Sequence, residues 1–169
     1  MNTGNIFLIG MMGSGKSTVG KLLAEKMQMT FIDLDEIIET NARKSVRELF
    51  EQEGESHFRK LESEALVNIK KENSVIACGG GIILDKLNRN LLQSSGKVIY
   101  LQVSISKLTK RLQSLNDRPI FEGKPIEKKL YRIWDKRKEL YESVAQITIQ
   151  VDKQTPEQIT KFIIDKLNQ

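Results

Sequence analysis

The chain has 169 residues and a single cysteine, Cys78. One thiol cannot close an internal disulfide, so the core must hold the fold, and a reduced, cytoplasmic setting is expected. Long apolar runs are also missing. No stretch approaches the length of a membrane span, so no membrane partner is expected. The N-terminus enters a short apolar run without a basic segment or a cleavage site, and it does not read as a signal peptide. Aromatic residues make up only 6%, which leaves few platforms for stacking bases. Lys and Arg exceed Asp and Glu by 27 to 22, a net charge of +5. These cations are scattered among acidic residues, a pattern that suits anionic small-molecule substrates better than nucleic acid. The one histidine, His57, has no carboxylate or cysteine partner apparent in the sequence, so a solvated or packing role is expected for it.

What is present reads as one globular domain, 39% hydrophobic and 29% charged. Short apolar runs alternate with amphipathic stretches, the pattern of an α/β domain with a parallel sheet. The expected strands are Ile6–Ile9, Thr30–Ile32, Ser74–Cys78, Val98–Val103 and Ile147–Val151. The first helix should bury Val19, Leu22, Leu23 and Met27. Ser45 and Glu48 have the spacing of a capping box, as do Thr155 and Gln158. A long helix should begin near Pro125, with a stripe of Leu130, Trp134, Arg137, Tyr141 and Val144. The segment 114–124 (SLNDRPIFEGK) lacks a period and reads as a loop able to act as a lid.

The most specific motif follows the first apolar run. Gly10 to Thr18, GMMGSGKST, matches the P-loop pattern G-x-x-x-x-G-K-[ST]. Its glycines let backbone N–H groups curl around phosphate oxygens, and the next helix offers its positive N-terminus. Lys16 is placed to reach the β- and γ-phosphates, and the Ser17 hydroxyl is a Mg²⁺ ligand. The guanine-reading N-K-x-D tetrad of GTPases is missing. The third strand ends in Gly79-Gly80-Gly81 rather than in the acidic pair of motor and transporter ATPases. Three glycines at a strand's carboxyl end, beside a P-loop, suggest backbone that a ligand approaches closely.

The acceptor half is written in charges. Asp33 and Asp35 close the second strand, two residues apart, and in an extended chain they would face the same way. One suits Mg²⁺ through water, the other a hydroxyl proton; capping of the following helix by Asp35 is the competing role. Arg59 lies four residues after Glu55 and three before Glu62, so a surface ion pair competes with substrate binding there. Arg137 falls within an apolar stripe and must find a partner, such as a planar carboxylate.

Taken together, these motifs resemble the shikimate kinase family over essentially the whole chain. The resemblance rests on the order of the P-loop, D-x-D, F-R-x-x-E, G-G-G, an R-P lid and a late R-x-x-L-Y. It implies a nucleoside monophosphate kinase-like, three-layer α/β fold with a five-stranded parallel sheet of order 2-3-1-4-5 flanked by helices. It also implies a single kinase domain over 1–169, with a shikimate-binding region at about 33–62 and a lid at about 113–124. The family transfers the γ-phosphate of ATP to the 3-hydroxyl of shikimate, a step in aromatic amino-acid biosynthesis. By resemblance, Gly13, Ser14, Gly15, Lys16, Ser17 and Thr18 would hold ATP. Arg111, Gln154 and Pro156 would lie near its adenine, and Arg118 in the lid would close over its phosphates. Ser17 would hold Mg²⁺, with Asp33 acting through water. Asp35, Arg59, Gly79, Gly80, Gly81 and Arg137 would bind shikimate, with Asp35 as the candidate base and the two arginines on the carboxylate. Lys16, Asp35 and Arg118 would be the catalytic residues. Glu139 stands where the family commonly has the proline of R-x-P-L-Y. A monomer working on shikimate and ATP is expected, without nucleic acid. Another small-molecule kinase of this fold, gluconate kinase-like, and a non-catalytic ATP-binding regulatory module are the alternatives.

Overall fold

Five apolar runs become five parallel strands. The computed structural model describes residues 4–70, 72–113 and 125–169. Its strands are β1 (Asn5–Ile9), β2 (Thr30–Asp33), β3 (Ser74–Ala77), β4 (Gly96–Gln102) and β5 (Ile147–Gln150), in the order β2-β3-β1-β4-β5. β1 lies between β3, with Ile6 opposite Val75, and β4, with Phe7 opposite Val98. Ile6, Leu8, Ile9, Val75, Ile76, Val98 and Ile99 are all fully buried. Helices cover both faces of such a sheet, which is why its inner strands are continuous apolar runs and not alternating ones. Strand boundaries differ from expectation by no more than a residue or two, the usual uncertainty at element ends.

The helices are α1 (Lys16–Met27), α2 (Leu34–Ala42), α3 (Val46–Gln52), α4 (Gly54–Val67), α5 (Lys86–Ser95), α6 (Ile105–Gln113), α7 (Ile126–Val144) and α8 (Pro156–Leu167), with a 3₁₀ turn at Ile82–Leu84. Both expected capping boxes form, at Ser45/Glu48 before α3 and at Thr155/Gln158 before α8. Each satisfies amides that the first helical turn leaves without partners. Pro125 caps α7, whose buried stripe is Leu130, Arg137, Tyr141 and Val144. α5 was not expected from the sequence, and α2 only as the helix following Asp35. In α5 the helix is started by Asp85, whose carboxylate accepts from the Leu87 and Asn88 amides.

One expectation is corrected by the path of the chain after β2. The strand stops at Asp33, and Asp35 is the second residue of α2. The two carboxylates therefore do not share one face of an extended segment. Nor is Asp35 the cap: Asp33 fills that role, its Oδ1 accepting from the Asp35 amide at 3.1 Å. An N-cap carboxylate stabilises a helix by roughly 1 kcal/mol.

β2, β3 and β1 are neighbours, so the segments leaving their carboxyl ends meet at one edge of the sheet. Those segments are the P-loop, Asp33–Asp35 and Cys78–Gly81. Ligands of open parallel sheets bind in the crevice at this end. The expected lid and Arg118 lie outside the described residues. No helix among the described residues is long and apolar enough to cross a membrane.

Candidate functional site

The P-loop is an open cradle. Gly13 and Gly15 take left-handed backbone, with φ of 77° and 96°. Gly15 is the N-cap of α1 and supplies no side-chain cap, so the first amides of the helix are open to an anion. Lys16 folds back over the loop, donating to the Gly10 and Met11 carbonyls at 3.0 Å each and to Ser14 Oγ at 3.4 Å. Ser14 is buried, whereas Ser17 and Thr18 are exposed. Ser17 Oγ donates to Asp33 Oδ2 at 2.6 Å, which joins the cradle to the end of β2. Arg111 reaches in from α6 and donates to the Gly13 carbonyl at 2.8 Å. Gln154 sits in the turn between β5 and α8, and its Oε1 is buried without a hydrogen-bond partner.

Across the cleft, Arg59 projects from α4. It pairs with Glu62 at 2.7 Å and Glu55 at 3.1 Å, and its guanidinium lies 5.3 Å from the Phe58 ring and 5.9 Å from the Phe50 ring. Both ion pairs open to the sequence reading do form. One of them is not a surface pair, because Glu62 is completely buried. On the far side, Arg137 is also buried, and its Nη1 donates to the Gly80 carbonyl at 3.0 Å. The Tyr141 hydroxyl donates to the same oxygen.

The glycine run between these groups has a physical reason besides the expected one. A Cβ on Gly79 would stand 2.1 Å from Glu62 Oε1 and 3.3 Å from Asp35 Oδ1. A Cβ on Gly81 would stand 2.3 Å from the Arg59 guanidinium carbon. At both positions it is the protein's own charged side chains that occupy the space a Cβ would take. Asp35, Gly79 and Gly80 line a cavity of about 210 Å³ together with Met12, Gly13, Gly15, Lys16, Ser17, Thr18, Asp33, Ala77 and Cys78. A larger hollow of about 810 Å³ lies between β2, α2 and α4 and shares Asp33. Its lining is mostly apolar and lacks the P-loop, so the smaller cavity is the one with the means to hold phosphate.

The shikimate kinase family profile matches residues 12–168. The chain belongs to the shikimate kinase family. It is 45% identical over 166 residues to a shikimate kinase of a Sulfurihydrogenibium strain, covering 96% of this chain and 97% of that one. It is 42% identical to the Nitrosomonas europaea shikimate kinase, covering 98% of this chain and 79% of that one. Among solved structures it is similar to the Acinetobacter baumannii shikimate kinase in complex with shikimate. That likeness has a TM-score of 0.94 at 33% identity and covers 98% of this chain and 93% of that one.

Two residues that the structure brings to this candidate site were not named as site residues from the sequence. Glu62 was visible as an ion-pair partner three residues after Arg59 and as the last residue of F-R-x-x-E; its burial depends on how α4 packs. Tyr141 was visible as a core residue of its stripe and as the last residue of R-x-x-L-Y; its contact with Gly80 spans 61 residues. Burial raises the Glu62 carboxyl above the usual carboxylate range, with Arg59 pulling the other way and Asp35 adding to the rise. For Arg59, burial opposes the charge, but Glu62 and Glu55 outweigh it, and the guanidinium binds its proton more tightly than usual. Burial also pushes the Cys78 thiol up, which suits packing and not nucleophilic attack. His57 does have a partner: its Nε2 lies 2.7 Å from Glu53 Oε2, one turn away on the helix surface.

The residues at the cradle fit a divalent cation. Ser17 Oγ and the Asp33 carboxylate give two oxygen donors at the cavity. Mg²⁺ prefers oxygen, keeps several waters and is commonly held by one or two protein groups plus substrate phosphate. The described residues contain no cluster of three or more His, Cys, Asp or Glu able to hold a metal ion.

Proposed function

We propose that the chain transfers the γ-phosphate of ATP to the 3-hydroxyl of shikimate, giving shikimate 3-phosphate and ADP. Family membership makes it an ATP-dependent kinase acting on a shikimate hydroxyl. The observation that carries the residue-level reading is the cavity joining Lys16 and the P-loop to Asp35 and Gly79–Gly80, with the half-buried Arg59 against Gly81 and the buried Arg137 bonded to Gly80.

In this reading Gly13 to Thr18 hold the ATP phosphates, while Arg111, Gln154 and Pro156 lie on the adenine side. Arg118, from the lid segment, closes over the phosphates. Ser17, with Asp33 through water, would hold Mg²⁺, which when bound offsets phosphate charge and orients the nucleotide. Arg59 and Arg137 grip the acceptor's carboxylate with parallel N–H bonds. Asp35 contacts the ring hydroxyls. The acceptor's 3-hydroxyl oxygen forms a bond to the γ-phosphorus, and the bond from that phosphorus to the β–γ bridging oxygen breaks. The hydroxyl proton passes to the Asp35 carboxylate, and ADP leaves with the bridging electrons. Lys16 balances charge that builds on the transferring group, so its cation stabilises the transition state more than the ground state. The chain is proposed to work as a cytoplasmic monomer.

The test is ADP release coupled to a spectroscopic readout, with Mg-ATP and shikimate, gluconate or AMP as acceptor. Turnover with shikimate alone is expected. Turnover with only another acceptor, or with none, overturns the reading.

A further inference from the structure

Arg137 and Tyr141 stand one helical turn apart on the buried face of α7 and donate to one oxygen, the Gly80 carbonyl. A carbonyl oxygen has two lone pairs and can accept both. The two donors nevertheless differ in what else they are needed for. Arg137 is the side chain that the proposed function gives to the acceptor's carboxylate. A guanidinium that turns its fork toward a carboxylate weakens or gives up its bond to Gly80. A half-buried carbonyl left with no donor would then lose its hydrogen bond within the site, at a cost that would be subtracted from binding.

Tyr141 is built to prevent this. Its side chain is fully buried, and its ring stacks on Tyr100 with centroids 4.9 Å apart and planes 16° from parallel. The ring has little freedom to move, so the hydroxyl is fixed on Gly80. Burial raises its phenol well above the usual value, so it stays a donor at any working pH. Gly80 sits between Gly79, packed on Glu62, and Gly81, packed on Arg59. A shift of the Gly80 carbonyl would therefore be felt by both charged side chains across the cleft.

We propose that Tyr141 is a positioning residue of the acceptor site. Its hydroxyl keeps the Gly80 carbonyl, and with it the glycine turn, in place while Arg137 is released to the acceptor's carboxylate. The inference rests on the reading of Arg137 as carboxylate ligand.

The experiment is a steady-state comparison of wild type, Tyr141→Phe, Arg137→Ala, the double variant and Tyr100→Phe, with shikimate and with shikimate methyl ester. Phenylalanine keeps the ring stack and removes only the hydroxyl. Tyr100 shares the stack, but its hydroxyl is directed at Trp134, so Tyr100→Phe controls for general loosening. Tyr141→Phe should raise the KM for shikimate about tenfold, near the net worth of one hydrogen bond, while kcat and the KM for ATP stay within about twofold. Tyr100→Phe should leave the shikimate KM unchanged. In the Arg137→Ala background, and with the methyl ester, Tyr141→Phe should add nothing. An unchanged shikimate KM in Tyr141→Phe overturns the proposal, as does an equal loss with the ester or in the Arg137→Ala background. Failure of wild type to phosphorylate shikimate is a separate result, and it refutes the kinase reading itself.

Discussion

The cradle between Gly10 and Thr18 holds its cation with backbone, whereas the facing wall holds charges with other charges. Lys16 rests on two main-chain carbonyls and a hydroxyl. Arg59 rests on two carboxylates, one of them wholly buried, and Arg137 on a carbonyl that it shares with Tyr141. A backbone cradle depends on local sequence, since its shape comes from glycine dihedrals and the start of a helix. A wall of buried ions depends on α2, α4, β3 and α7 arriving together, and each ion is costly if its partner is removed. The donor half should therefore lose chemistry when a side chain is cut. The acceptor half should lose binding, and it should feel small changes in backbone.

The largest expected effect lies in the donor half. Lys16→Met should lower kcat about a hundred- to a thousandfold, with a melting temperature close to wild type; a wild-type kcat would break the contrast. Next comes Arg137→Ala. It should weaken shikimate binding by ~2 kcal/mol or more in a calorimetric titration and leave nucleotide binding intact.

Two glycine substitutions sharpen the contrast further. Gly10 has φ of 146°, and its Cβ would stand 2.6 Å from the main-chain oxygen of Leu101. Backbone cannot step aside easily, so Gly10→Ala should cost about 1–3 kcal/mol of stability, read by denaturant unfolding. At Gly81 the obstacle is the movable end of Arg59. Gly81→Ala should therefore raise the shikimate KM roughly tenfold, a displaced charge-assisted hydrogen bond, while losing less stability than Gly10→Ala. The reverse ranking would show that the glycine turn serves folding and not the acceptor.

The smallest effect concerns pH. The folded chain binds a proton at Glu62 more tightly than the unfolded chain does, because burial raises that carboxyl. Stability from this group is present below the usual value of 4.5 and is lost as pH rises through the higher folded value. Glu62→Gln is free of that loss. Its melting temperature should gain on wild type as pH is raised through this window, and a difference that does not change with pH would contradict the raised carboxyl.

The legibility of the molecule follows the same division. The five strands and the P-loop were readable because apolar runs and a glycine-lysine motif act over a few residues. The two capping boxes were readable for the same reason, each being a contact between positions three apart. Asp33 and Asp35 were visible as a pair, and both line the cavity, but the place where β2 gives way to α2 was not visible, and so the reason for their common facing was misjudged. The role of Gly79 and Gly81 was hidden because it depends on Glu62 and Arg59 arriving from α4. That Arg137 needed a partner could be read from its place in a stripe. That the partner is Gly80, shared with Tyr141, could not.

In the proposed function the acceptor is chosen by its carboxylate, held between two arginines. The most direct measurement is kcat/KM for shikimate against shikimate methyl ester, with saturating Mg-ATP. The ester keeps every hydroxyl and loses only the charge. A fall of about a hundredfold or more is expected for the ester, in keeping with the loss of bidentate charged bonds. Equal kcat/KM for the two would contradict the account.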